Sequence, residues 1–250
     1  MRGFITLLRK ELAAYFVSPV AYMVLLACSL VIGFSFWFWV NYFVTNNIKE
    51  VTVFYAMYNG FFFWFTLIIM CPILTMRIFS EEFKMGTIEM LMTAPVREWE
   101  VVLAKYFATL LFFSIAWSPA LLNTAWMHFA SPEKIQISWG MILLPNLCLL
   151  LIGGFYLAIG IFTSVLTQNQ IVSAILSFAM IFVLFCVGFL ANGKADQSTQ
   201  DLIEYFSVMS QMDTYSKGIL TSRPIVFYLS GITFFLFLTQ RVLLMKRLKA

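Results

Sequence analysis

Six stretches of about 20 or more mostly apolar residues constrain this chain more than any motif it carries. Each is long enough to cross a hydrocarbon core of roughly 30 Å as a helix. Backbone inside lipid must satisfy its own N–H and C=O groups, and a helix does so within one segment. The expected fold is all-α, a polytopic membrane protein with six transmembrane helices. The spans read as Val20–Tyr42, Met57–Met76, Val101–Met127, Met141–Thr163, Ile171–Ala191 and Ile225–Met245. Composition agrees: 62% of the residues are apolar and only 11% are charged, against about 25% in soluble domains.

The connections alternate in charge. The N-terminus, the 77–105 region, the turn near Gln168 and the tail from Arg241 hold eleven of the sixteen basic residues. These are Arg2, Arg9, Lys10, Arg77, Lys84, Arg97, Lys105, Arg241, Lys246, Arg247 and Lys249; Lys49, Lys134, Lys194, Lys217 and Arg223 fall on the other side. Basic residues stay inside, so both termini are expected in the cytoplasm. Residues 1–18 read as an interfacial helix, with Phe4, Ile5, Leu8, Leu12, Tyr15 and Phe16 on one side, ended by Ser18-Pro19. Met1 to Phe16 is too long, amphipathic and charged for a signal peptide's n-region, and no small-residue cleavage site follows the apolar run, so no cleavable signal peptide is expected ahead of the first span. The outer connection 192–223 carries Leu202, Ile203, Phe206, Met209 and Met212 at near-helical spacing, predicting a short amphipathic helix.

Residues 80–100, between the second and third spans, hold five of the twelve acidic residues. Charges gather in so apolar a chain where it leaves the lipid. Gly86 is a helix breaker, Thr87 can cap a turn starting at Ile88, Glu89 complements that turn's dipole, and Pro95 ends it. Ile88, Leu91 and Met92 form one apolar stripe, suited to a groove on a partner protein.

Gly86-Thr87-Ile88-Glu89 followed by Met92-Thr93-Ala94-Pro95-Val96, with Glu100 and Lys105 beyond, resembles the coupling segment of ABC-2-type transporter permeases. Arg9-Lys10-Glu11-Leu12 with Ser18-Pro19, and Ser216-Lys217-Gly218-Ile219 before Val226-Phe227-Tyr228, are similar to the approaches to that family's first and last spans. The resemblance covers nearly the whole chain and is nearest the small six-span permeases of the gliding-motility and nitrous-oxide-reductase-maturation type. Phe83 stands where that family usually has a second basic residue, and Arg97 where it usually has Ser or Thr capping the next helix.

Other chemistry is sparse. Cys28, Cys71, Cys148 and Cys186 lie in apolar stretches without ligand spacing and read as small buried hydrophobes, and His128 reads as interfacial. Gly188 to Lys194 matches seven positions of a P-loop, but Ala195 replaces the hydroxyl that would ligate Mg²⁺, and the match ends a transmembrane helix. No carboxylate pair or acid–histidine cluster lies within the spans, which argues against a proton relay. Ser114, Ser118 and Asn123 are candidates for a conduit wall; helix–helix hydrogen bonding is the plainer role.

The resemblance implies a permease subunit without catalytic, cofactor or metal sites of its own, in the bacterial inner membrane. Two copies of a separate ABC ATPase, carrying the ATP and magnesium, would drive export, with a second permease copy or a sister permease alongside. Glu82, Gly86, Thr87, Ile88, Glu89, Leu91, Met92 and Pro95 would form the ATPase-coupling set. The lipid membrane is the other expected partner, nucleic acid is not, and there is room for further envelope subunits. The chain then divides into the interfacial helix (1–18), spans 1–2 (20–76), the coupling segment (77–100), spans 3–5 (101–191), the outer loop (192–223) and span 6 with its tail (224–250). A second reading stays open: a membrane anchor or mechanical signalling subunit of an envelope machine that carries no solute.

Overall fold

A computed structural model describes residues 2–46, 53–87, 97–130, 139–190 and 205–247. Eleven helices and no strand are present among them. Six helical segments are long and apolar enough to cross a membrane: Pro19–Asn46, Phe61–Met85, Glu98–Trp126, Trp139–Leu166, Gln170–Gly188 and Ser222–Arg247.

The elements are α1 (Arg2–Val17), α2 (Pro19–Asn46), α3 (Val53–Asn59), α4 (Phe61–Thr75), α5 (Ser80–Met85) and α6 (Glu98–Ala116). They continue as α7 (Ser118–Ala130), α8 (Trp139–Leu166), α9 (Gln170–Leu190), α10 (Val208–Ser216) and α11 (Ser222–Arg247). Helix α8 is the axis of the bundle, buried over most of its length against α4, α6, α9, α10 and α11. Small residues let its neighbours approach. A Cβ on Gly160 would fall 2.1 Å from Thr75 Oγ1 and 3.0 Å from Ser177 Oγ, so short side chains of α4 and α9 press directly onto the α8 backbone there. Helices α2 and α11 are peripheral, and Met23, Leu30, Trp37 and Phe234 project from them. The aromatic run of α4 divides by face: Phe61 and Phe65 are exposed, Phe63 and Trp64 buried.

Two spans are interrupted where an unbroken helix was expected. Met57–Asn59 belong to α3, not to the second span; the chain is extended at Gly60 (φ −75°, ψ 159°) and the span restarts at Phe61. Phe54, Met57 and Tyr58 are buried, so α3 folds into the bundle. The third span breaks at Trp117, because Pro119 has no amide to continue the ladder and its fixed φ suits the first turn of α7.

The connection before α11 contains α10, capped by Ser207 Oγ, which accepts from the Ser210 amide at 3.2 Å. Val208, Met212 and Tyr215 are buried against the bundle, so α10 is packed in place and does not lie free on the surface. The Tyr55 hydroxyl donates to Asp213 Oδ1, and Lys217 pairs with the same carboxylate, tying α3 to α10. The earlier part of the expected amphipathic pattern, Leu202 and Ile203, lies outside the described residues, as do the P-loop-like positions from Ala191 onward.

Candidate functional site

At the end of the bundle that carries both chain termini, α4 gives way to a turn over Met76–Phe79 and then to α5. A new helix start leaves amides without intrahelical partners. Here Ser164, near the end of α8, supplies the acceptor: its Oγ lies 3.0 Å from the Phe79 amide and 3.1 Å from the Ser80 amide. Glu81 and Glu82 sit in the first turn of α5, where the helix dipole favours carboxylates. Gly86 ends the helix in the left-handed conformation (φ 69°), which costs glycine little and most other residues more.

The centre of this end is Lys105, about two turns into α6, with its side chain only 2% exposed. A buried ammonium needs compensation. Its Nζ lies 2.7 Å from Glu82 Oε1 and 3.0 Å from Glu11 Oε1, and 5.3 Å above the Phe79 ring. One lysine therefore joins α1, α5 and α6. Below it, Thr109 Oγ1 is 2.7 Å from the Lys105 carbonyl and 3.0 Å from the Tyr15 hydroxyl, which is 3.1 Å from the Leu74 carbonyl. With one proton each, the two hydroxyls satisfy two of these three contacts at a time. Burial holds the Tyr15 phenol above the ordinary tyrosine range, with the Thr109 hydrogen bond pulling the other way, so it is neutral and able to donate.

Two further ties come from the last helix. Lys246 Nζ donates to the Val165 carbonyl at 2.6 Å, satisfying an orphan carbonyl in the last turn of α8, and stands 4.0 Å over the Phe83 ring. Arg247 pairs with Glu98, the first residue of α6. The start of α6 is half of a capping box. The Arg97 amide donates to Glu100 Oε2 at 3.3 Å, but an arginine side chain has no acceptor to return.

Of the residues singled out by sequence, Glu82 and Gly86 lie in this junction. Thr87 places its hydroxyl 3.5 Å from the Glu82 carbonyl, back toward α5. Ile88, Glu89, Leu91, Met92 and Pro95 lie outside the described residues. Ser114 and Ser118 straddle the break at Trp117; the Ser114 hydroxyl donates to the Leu110 carbonyl at 2.8 Å, and the Ser118 hydroxyl reaches back across the break to the Ile115 carbonyl at 2.7 Å. Asn123 is half-buried on α7. The structure does not bring these three together around a common centre.

Sequence reasoning missed Lys105, Glu11, Ser164, Lys246 and Arg247 as parts of one junction. A signal existed for the first: Lys105 is the sole charge between Val101 and Met127, and ionisable groups in a span need a partner.

A family model for ABC-2 family transporter proteins matches residues 40–245. The chain belongs to the ABC-2 family. Comparison with curated proteins gives no match. As an ABC-2 protein it is a membrane-embedded component of transport, and proteins of this family generally pair with an ABC ATPase. The matched range includes α5, the 88–96 segment and all of α6, and the Lys105–Glu82 contact falls within it.

Proposed function

We propose that the chain is the permease subunit of an ABC-2 transporter, and that residues 80–98 relay movement of a separate ATPase to the spans. The observation that carries this reading is that the described residues on either side of 88–96 are tied to different helices. Before it, Glu82 is tied through Lys105 to α1 and α6. After it, Glu98 is tied through Arg247 to α11. A displacement of 88–96 by a bound partner would therefore load α1, α5, α6 and α11 together. Nucleotide can drive such a change only if the ATPase binds the permease's two states with different affinity.

In this reading Ile88, Leu91 and Met92 enter an apolar groove of the ATPase, and Glu89 pairs with a basic group beside it. Two ATPase copies serve this chain and a second permease, a copy or a sister. ATP and magnesium stay with the ATPase. The end carrying the termini faces the cytoplasm of a bacterial inner membrane, in line with the eleven basic residues assigned there. Transport is outward.

Site-specific photo-cross-linking tests the contact. A photoreactive residue at Met92, in membranes containing the ATPase, should capture the ATPase subunit. Capture of the ATPase from Ser198 and not from Met92 would refute both the contact and the orientation.

A further inference from the structure

A cavity of about 330 Å³ opens beside the Lys105 junction, at the level where α1 passes into α2 and α4 ends. That is within the usual range of about 300–1,000 Å³ for small-ligand sites. Its walls differ sharply. On one side are Val20 and Val24, one helical turn apart on α2, facing Ile73 of α4. The charged lining is Arg77 and Lys105 with Glu11, Glu81 and Glu82, so carboxylates outnumber cations by three to two.

The charged groups are not all used by the protein. Lys105 engages one oxygen of Glu82, while Glu82 Oε2 is buried and has no hydrogen-bond partner. Arg77 and Glu81 line the same cavity and form no ion pair among the described residues. A guanidinium with no ion pair among the described residues thus shares a cavity with three carboxylate groups, of which Lys105 engages one oxygen each of Glu11 and Glu82, beside apolar residues at the ends of two spans. An anionic lipid would satisfy Arg77 but meet the carboxylates unfavourably. A zwitterion carrying both a phosphate and a primary ammonium satisfies both: the guanidinium forks onto phosphate oxygens, and the ammonium has three protons to donate to Glu81 and Glu82. We propose that this cavity binds the headgroup of an aminophospholipid such as phosphatidylethanolamine, with the acyl chains leaving past Val20, Val24 and Ile73 into the bilayer. The site does not depend on how the 88–96 segment acts.

Native mass spectrometry of the full chain released from detergent tests this, using phosphatidylethanolamine, phosphatidylglycerol and phosphatidylcholine with identical acyl chains. One phosphatidylethanolamine should be retained at about tenfold lower lipid concentration than either competitor, the difference expected from one charge-assisted contact. Phosphatidylcholine has the same charges but no ammonium proton to donate. Arg77→Ala and Glu81→Gln, at residues without ion pairs among the described residues, should each lower retention, and Val24→Trp should abolish it by filling the cavity. Equal or stronger retention of either competitor would overturn the proposal. So would retention that Val24→Trp leaves unchanged, which marks annular lipid only. Competition by glycerophosphoethanolamine as strong as by the lipid would show a site for a soluble phosphoamine and equally overturn it.

Discussion

The Lys105 ammonium lies 2.7 Å from Glu82 Oε1, joining the short helix before the 88–96 segment to the long span after it. Glu11 completes the contact from a helix 94 residues away in sequence. Because the lysine is buried while both glutamates keep some contact with water, this junction is sensitive to charge in one direction more than the other.

Replacing Lys105 with Met should destabilise the protein by about 3 kcal/mol, toward the low end for breaking a buried pair, since two carboxylates are left facing an apolar side chain. Adding Glu11→Gln and Glu82→Gln to Lys105→Met should recover most of that loss. Thermal unfolding followed by fluorescence-detected size exclusion reads both. Equal instability of the single and triple variants would show that Lys105 acts through packing alone.

Arg247 and Glu98 form an exposed pair, with side chains 44% and 21% accessible, and such pairs contribute only about 0–1 kcal/mol to stability. Arg247→Glu should therefore leave unfolding nearly unchanged while lowering ATP hydrolysis by the assembled transporter, and adding Glu98→Arg should restore it. A stability loss equal to that of Lys105→Met would place the pair in the fold's framework and remove its proposed part in relay.

Much of the architecture was legible because its causes are local. Lipid thickness sets span length, and the φ of 69° at Gly86 is a conformation that glycine announces in sequence. The break at Gly60 was not read, since hydropathy continues across it, whereas the one at Trp117 has a visible cause in Pro119, which removes an amide from the ladder. The N-terminal helix shows another limit. Phe4, Leu8 and Tyr15 of the expected apolar face are partly buried by α2 and α6, but Ile5 is 51% exposed, and Leu7 and Glu11 join the packed side. Periodicity marks apolar residues without saying whether protein or lipid covers them. The Glu11–Lys105 pairing has no local signature at all, because only the fold brings those positions together.

Orientation is open to direct labelling. The native thiols of Cys28, Cys71 and Cys148 are buried and Cys186 is half-buried, so a Cys186→Ala background keeps interference low. In intact cells a cysteine replacing Ser198 should react with an impermeant thiol reagent, and one replacing Lys84 should not. Reaction at position 84 would reverse the sidedness inferred from the basic residues.

The central claim is that residues 88–93 bind the ATPase, and the dissociation constant between purified ATPase and permease in nanodiscs measures it most directly. Dipole complementation alone makes Glu89 worth about 0.3–1 kcal/mol and leaves association nearly unchanged, whereas loss of an interfacial charge pair costs about 2–5 kcal/mol. Glu89→Ala should therefore weaken binding by roughly thirtyfold or more, with insertion and thermal stability preserved. Leu91→Asp should do the same by placing an unpaired charge in an apolar groove. Unchanged dissociation constants for both variants would contradict the account and leave 88–93 an ordinary connection between two spans.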